Sequence, residues 1–366
     1  MQKHKHFSGS YRPVDVRFLL QPMSVDMIDM AEKERLIQRG ERHYSEMLSP
    51  EHLPSERYMA IFRHAHETNR RRMARDLLNL AAIIAAQRSG EITLVSLARA
   101  GTPIGVALKH ILVRIFQRDV AHYSISIIRD RGVDANALRF ILDAEGRSDA
   151  SIVFVDGWTG KGVISRELDR AVRAFNENHD VKLDSRLFVL ADLAGAGVAA
   201  TTDDYLIPSG ILNATVSGLI SRSILNERIG QEDFHGCVYY HEFKPHDLSV
   251  WFIDDLLKAA RDLIEEGYNP LATLVDTAFT RQCSQQFLRD IMAYFGIADE
   301  NLVKPGIGEA TRVLLRRVPE RVIVHDGAAA EVAHLVQLAR EKQVRCDIDP
   351  ALPYQAVSLI RSLHDA

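Results

Sequence analysis

The chain has 366 residues, 46% of them hydrophobic, enough for two domains or one large and one small, and its formal net charge is −4. That balance excludes a global electrostatic pull towards nucleic acid or an anionic membrane, so any RNA contact must be local. Three cysteines without paired spacing exclude a disulfide framework or zinc cage and point to a reducing cytoplasm. No signal peptide is evident and no run of about 18 apolar residues occurs, so no membrane span is expected.

Residues 1–85 read as a mainly helical N-terminal extension. Phe18-Leu-Leu20 is a short apolar anchor, and Met27 to Gln38 has helical spacing. Tyr58 to Ala86 reads as one long helix or two, interrupted by Arg70-Arg-Arg72, which is either a solvated face or a patch for phosphate or RNA.

Residues 86–245 alternate strand and helix, the pattern of an α/β domain on a mostly parallel sheet. The expected strands are Ile92–Leu97, Val120–Ile128, Ser151–Val155, Leu187–Ala191 and Tyr205–Ile207, and Asn213–Gly218 opens a helix. Two of these strands run into small-residue loops. After Leu97 comes Arg99-Ala100-Gly101-Thr102, with Pro103 suited to a first helical turn. After Val155 comes Asp156-Gly157-Trp158-Thr159-Gly160-Lys161-Gly162, and then a helix from Val163 to Asn176. Glycines let the backbone approach a ligand closely, and the free N–H groups of a helix start favour an anion. Lys161 adds a point charge and Thr159 a hydroxyl. The pattern is neither a P-loop nor G-x-G-x-x-G. Arg129-Asp130-Arg131, followed by Gly132, is a charged turn at the same sheet edge, read either as a mobile hood or as a plain exposed turn. Asp192, Asp203, Asp204 and Asn213 are candidates for base or metal recognition, although acidic residues in turns are commonly turn formers.

The Arg99 loop resembles the pyrophosphate loop of type I phosphoribosyltransferases, and the Asp156 loop a variant of their phosphoribosyl pyrophosphate (PRPP) motif. Ser8-Gly-Ser-Tyr11, Ser124 to Gly132, the Asp156 loop and Lys304-Pro-Gly-Ile-Gly-Glu-Ala-Thr-Arg312 together resemble the phosphoribosyltransferase-like proteins of tellurium-resistance and stress operons. Those proteins carry a C-terminal Pelota-type RNA-binding domain and are also called the cysteine protease StiP family. The resemblance spans nearly the whole chain. It implies a type I phosphoribosyltransferase-like sheet that binds PRPP with Mg²⁺. Arg99 and Lys161 would absorb charge on the departing pyrophosphate, and Asp156 would hold the ribose. The metal ligands stay unassigned. Gly157 departs from the usual acidic pair, the loop is short, and it lacks the family's Thr-Thr pair, so a nucleotide-sensing RNA-binding protein without transfer activity is a second reading.

The third reading is a cysteine peptidase. Cys237 lies in Asp233-Phe-His-Gly-Cys-Val-Tyr-Tyr-His241, and His235, His241 or His246 with Asp247 are the available partners for a thiolate. No recognised protease signature surrounds it. Residues 246–299 read as a helical connector with helices Val250–Glu266 and Gln285–Phe295. Residues 300–366 read as a small α/β unit: a helix Gly308–Val318, a strand Arg321–His325, a helix Ala328–Lys342, a strand near Val344–Ile348 and a final helix. Lys304, Arg312, Arg316 and Arg317 gather near its Pro-Gly-Ile-Gly turn. The resemblance implies that they bind RNA, although such a charge pattern also suits a solvated face. RNA and a nucleotide-like small molecule are the expected partners, with a homo-oligomer left open.

Overall fold

A computed structural model describes residues 6–316 and 319–360. The first strand, β1 (Arg17–Leu19), is followed by a two-residue strand β2 (Gln21–Pro22), helix α1 (Met30–Gln38) and the long helix α2 (Glu56–Gln87). α2 is a single helix of 32 residues, started by the Ser55 hydroxyl, which accepts the N–H of Tyr58. Its arginines act as ties. Arg71 pairs with Glu266, Arg72 with Asp203, and Arg70 lies 3.4 Å from Asp255.

There follow β3 (Ile92–Ala98), α3 (Gly101–Arg114), β4 (Val120–Ile128), β5 (Gly132–Val133), the short α4 (Ala135–Arg139), β6 (Ile152–Thr159), α5 (Val163–His179) and β7 (Leu187–Asp192). The central sheet has the order β1-β4-β3-β6-β7, all parallel, with β5 turned back antiparallel onto β4. Both faces are covered, which is why β3 and β7 are buried along almost their whole length. On one face pack α2, α3 and the later helix α6 (Ser249–Glu265), through Leu77, Ile84, Ile104, Leu108, Phe252 and Leu256. On the other lies α5, with Leu168, Val172 and Phe175. Between β7 and α6 the chain is largely irregular apart from β8 (Gly236–Cys237), which pairs with β2.

After α7 (Thr277–Phe295) the C-terminal unit contains β9 (Val303–Pro305), α8 (Ile307–Arg316), β10 (Arg321–Val324), α9 (Ala333–Glu341), β11 (Arg345–Ile348) and β12 (Ala356–Leu359). Its sheet runs β11-β10-β12-β9 and is mixed. The architecture is thus mixed α/β with a mainly parallel central sheet.

Four expectations need correction. Phe18-Leu-Leu20 is no separate anchor, because β1 is an edge strand of the central sheet, in register with Tyr123–Ile125 of β4. Tyr205–Ile207 is not a strand: the Leu206 carbonyl accepts from the Asn69 side chain, and the Tyr205 ring stacks under Arg72 at 4.5 Å. Asn213–Gly218 forms only a 3-10 turn at Ala214–Val216. Where a final helix was expected, β12 pairs antiparallel with β10 and β9. The expected helix at Gly308–Val318 extends to Arg316, and Arg317 lies outside the described residues.

Candidate functional site at the edge of the central sheet

β6 runs on past Val155 to Thr159, so Asp156 lies within the strand and not at its end. Strand alternation then sorts the motif. Asp156 and Trp158 are half-buried and line a cavity, while Gly157 and Thr159 are buried, Thr159 still touching the cavity wall. The Thr159 hydroxyl donates to Asp192, whose carboxylate also accepts the N–H groups of Ala194 at 3.0 Å and Gly197 at 2.8 Å. Thr159 and Asp192 are therefore structural.

The cavity is about 280 Å³ and is a joint construction. The sheet side supplies Ala100, Arg129, Asp156, Trp158, Gly160, Lys161 and Gly162, and the C-terminal unit supplies Lys304, Pro305, Glu309 and Arg312. Gly160 lies in contact with the C-terminal unit: a Cβ there would sit 3.5 Å from the Pro305 carbonyl oxygen. Gly162 has φ +69°, which turns the chain into α5. Gly157 is different. Its backbone N–H donates to Asp156 Oδ1 at 2.8 Å, and a Cβ would meet only the Ala100 carbonyl oxygen, at 3.9 Å. The acidic residue of the type I motif is thus missing from a position that has room for it.

Charge in the cup is uneven. Burial pushes the Asp156 carboxyl up to about 7, despite the Gly157 amide and the nearby Arg312, both of which favour the anion. Burial, aided by neighbouring Lys304, lowers Lys161 to about 8, and its ammonium donates to the Glu300 carbonyl oxygen. Arg312 pairs with Glu309 at 2.9 Å and lies 5.9 Å over the Trp158 ring. Among the described residues no group of three or more metal-ligating side chains comes together.

The Arg99 loop is organised differently from the resemblance. Gly101 starts α3 hard against β6, where a Cβ would collide with the Val155 carbonyl oxygen. The Thr102 hydroxyl bonds Ser124 Oγ at 2.8 Å inside the core, turned away from the cup. Arg99 pairs with Glu51 at 2.7 Å and donates to the Ile220 carbonyl at 2.8 Å. The charged turn, read either as a mobile hood or as a plain exposed turn, is exposed and held by side-chain contacts. Arg131 pairs with Glu46 and donates to the Leu225 carbonyl, and the Asp130 N–H donates to Glu167. Of the three, only Arg129 faces the cup. Asp204 accepts amides of the C-terminal unit, so it is a latch and not a ligand group. Sequence reasoning missed Glu51, Arg222 and Tyr240, which gather around Arg99 and Arg316. No local motif surrounds any of them.

Cys237 lies on β8, fully buried in the main core, and burial alone pushes its thiol up to about 12. His235 is engaged elsewhere: its Nδ1 bonds Ser126 Oγ at 2.7 Å, and its backbone N–H donates to Asp134. Asp247 accepts from Ser249. Among the described residues no hydrogen bond joins Cys237 to His235, His241 or His246. Cys283 and Cys346 are half-buried. Cys283 opens onto a groove of about 900 Å³ between α7 and the β10–β11 side of the C-terminal sheet, flanked by exposed Phe279, Tyr294 and Ile348. Among the described residues no hydrogen bond joins a cysteine sulfur to a histidine, and no helix is long and apolar enough to cross a membrane.

Comparison with known proteins follows the same division of the chain. Residues 9–257 match the family described as tellurite-like stress resistance cysteine protease StiP, and residues 282–362 match the PELOTA RNA binding domain. A protein of Acinetobacter baylyi named "Cysteine protease StiP" is 41% identical, over 98% of this chain and 95% of its own length. These findings overturn the expectation of a phosphoribosyltransferase acting on PRPP with magnesium, since the relative that spans the chain is named a protease. The geometry agrees with that correction: the motif's second acidic residue is absent at Gly157, the Thr102 and Thr159 hydroxyls are spent inside the fold, and Arg99 is neutralised by Glu51. The chain belongs to the StiP family and carries a C-terminal Pelota-type RNA-binding domain.

Proposed function

We propose that this chain is a cysteine peptidase of the StiP type, with Cys283 as its nucleophile. The observation that carries the reading is the identity, along nearly the whole chain, with a relative named a cysteine protease. Cys283 is chosen on access, although Cys237 is the cysteine that lies within residues 9–257, the stretch matching the StiP family, and Cys283 lies in the stretch matching the RNA binding domain. A thiol held near 12 gives almost no thiolate at neutral pH, which disfavours Cys237, and burial together with Asp347 raises Cys346. The apolar flanks of the Cys283 groove suit a peptide segment. The reading requires a base to come within reach of Cys283 when substrate binds, as catalytic contacts commonly tighten only in the complex. The test is hydrolysis of fluorescently labelled casein by the full chain and by Cys283→Ala, Cys237→Ala and Cys346→Ala. Loss in Cys283→Ala alone supports the assignment. Loss in Cys237→Ala with an intact fold moves the nucleophile, and full activity in all three variants sinks the peptidase reading.

The cup supports a second, non-catalytic role: holding a phosphorylated ribose compound, PRPP among the candidates, on a type I phosphoribosyltransferase-like sheet. Two strand–loop–helix units meeting at one parallel-sheet edge favour that finer fold, and Lys161, Arg129 and Lys304 favour the anion. Any Mg²⁺ would come with the ligand's phosphates. Calorimetric titration with PRPP and Mg²⁺, wild type beside Lys161→Ala, tests it: saturable binding lost in the variant supports the role, and no binding by the wild type ends it. RNA binding by the C-terminal unit is the third element of the reading, supported by the match over residues 282–362.

A further inference from the structure

We propose that a bound RNA strand crosses from the C-terminal unit onto the central-sheet unit, its phosphates lying along a basic cleft that runs from Arg222 and Arg99, past Arg316 and Arg312, into the cup at Lys161 and Arg129. The proposal rests on the RNA reading of the C-terminal unit and goes beyond it by assigning four of these six cations to the other unit.

Three observations carry it. First, the cations adjoin one another across the junction. Lys304 and Arg312 share one cavity with Arg129 and Lys161. Arg316, one turn beyond Arg312 on α8, reaches Asn213 Oδ1 at 3.4 Å and lies beside Arg99, while Arg222 lies beside Arg316. Second, the positive charge is neutralised only in part: Arg99 pairs with Glu51 and Arg312 with Glu309, but three other arginines of the row are left over. Among the described residues Arg129, Arg222 and Arg316 have no carboxylate partner, although the chain as a whole carries a formal charge of −4. Arg222 and Arg316 keep contact with solvent but are hemmed in by protein, and their mutual repulsion disfavours both charges. Both side chains are exposed, and an anion placed among such like-charged neighbours relieves their repulsion. Third, the Tyr240 hydroxyl, in a residue 2% exposed, has no hydrogen-bond partner and lies in the same cluster beside Arg99 and Arg222.

The length of the row decides the ligand. A single phosphate group reaches two or three of these side chains, whereas a strand with a phosphate at every nucleotide meets them in succession. The peptidase groove lies elsewhere, between α7 and the β10–β11 side of the C-terminal sheet, so the two activities can be tested apart.

The experiment is fluorescence anisotropy of a labelled twelve-nucleotide single-stranded RNA of random sequence against the full chain, at several salt concentrations. Arg129→Gln/Arg222→Gln and Arg312→Gln/Arg316→Gln are measured beside the wild type, with melting curves to establish that each variant is folded. The expected result is tenfold or greater weakening in both double variants. The salt slope should also fall by about 1.4 in the first, since each single-strand phosphate contact contributes about 0.7. Wild-type affinity in Arg129→Gln/Arg222→Gln, with loss in Arg312→Gln/Arg316→Gln, overturns the two-unit path and leaves RNA on the C-terminal unit alone. Failure of the folded wild type to bind the RNA at any salt concentration overturns the RNA reading itself.

Discussion

The Asp204 carboxylate accepts the backbone N–H of Ile307 at 2.9 Å, at the first residue of α8, and also takes the N–H of Gln355 at 2.8 Å. One side chain of the central unit thus satisfies two amides of the C-terminal unit, one at a helix start that favours negative charge. Apolar contacts support the junction, with Leu193 among Val303, Ile323 and Tyr354, and Leu206 among Ile307 and Leu314. Asp204→Ala is expected to leave these amides unpaired and to destabilise the protein by about 1–3 kcal/mol in urea denaturation. An unchanged midpoint would mean that the latch contributes nothing.

Asp156 makes stability depend on pH. Its native pKa, about 7, lies above the ordinary carboxylate value of 3.8, so the folded state binds the proton more tightly than the unfolded chain does. Its contribution is fully present at acid pH and is lost as pH rises from about 4 through 7. Asp156→Asn is expected to be more stable than wild type at pH 8, by about 1–2 kcal/mol after allowance for its partial exposure, and to match it at pH 4. Paired denaturation curves at the two pH values measure this, and equal stability at both contradicts it.

Thiol reactivity separates the cysteines. Cys283 is expected to be carbamidomethylated by iodoacetamide within minutes in the native protein, with Cys237 modified only after unfolding, because Cys283 is half-buried beside an open groove whereas Cys237 is buried and its thiol is raised. Peptide mass mapping reads the order. Rapid native labelling of Cys237 would show that its strand opens.

Gly105 packs inside α3 against Ser96 and His122, where an added Cβ would strike both side chains. Those two residues bond each other at 2.8 Å, and the imidazole's other nitrogen bonds the Asp15 carbonyl at 2.9 Å. Gly105→Ala is expected to cost at least about 2 kcal/mol, visible as a lowered melting temperature, even though alanine favours helix elsewhere. A neutral or raised melting temperature would show that the pair can move aside.

The parallel sheet was legible because its strands are uninterrupted apolar runs between small-residue loops, and α5 and α2 because their apolar residues recur at helical spacing. The gathering of Asp156, Trp158 and Lys161 followed from one motif. What the residues did not disclose came from distant partners. Thr102 and Thr159 looked like ligand hydroxyls until Ser124 and Asp192 claimed them, and β12 reads as helix without β9 and β10 beside it. Cys237 drew attention through neighbouring histidines, but alternation along a strand and burial by the core separate side chains that are adjacent in sequence. Arg222 and Tyr240 matter only because the fold carries them to Arg99.

The cup's walls come from opposite ends of the polypeptide: Asp156 and Lys161 lie before the midpoint, and Lys304 and Arg312 belong to the last quarter. On the ribosome, a central unit that folds as it emerges holds an unfinished, open-sided site until those final residues leave the exit tunnel. A chain truncated before Lys304 would lack that wall of the cup.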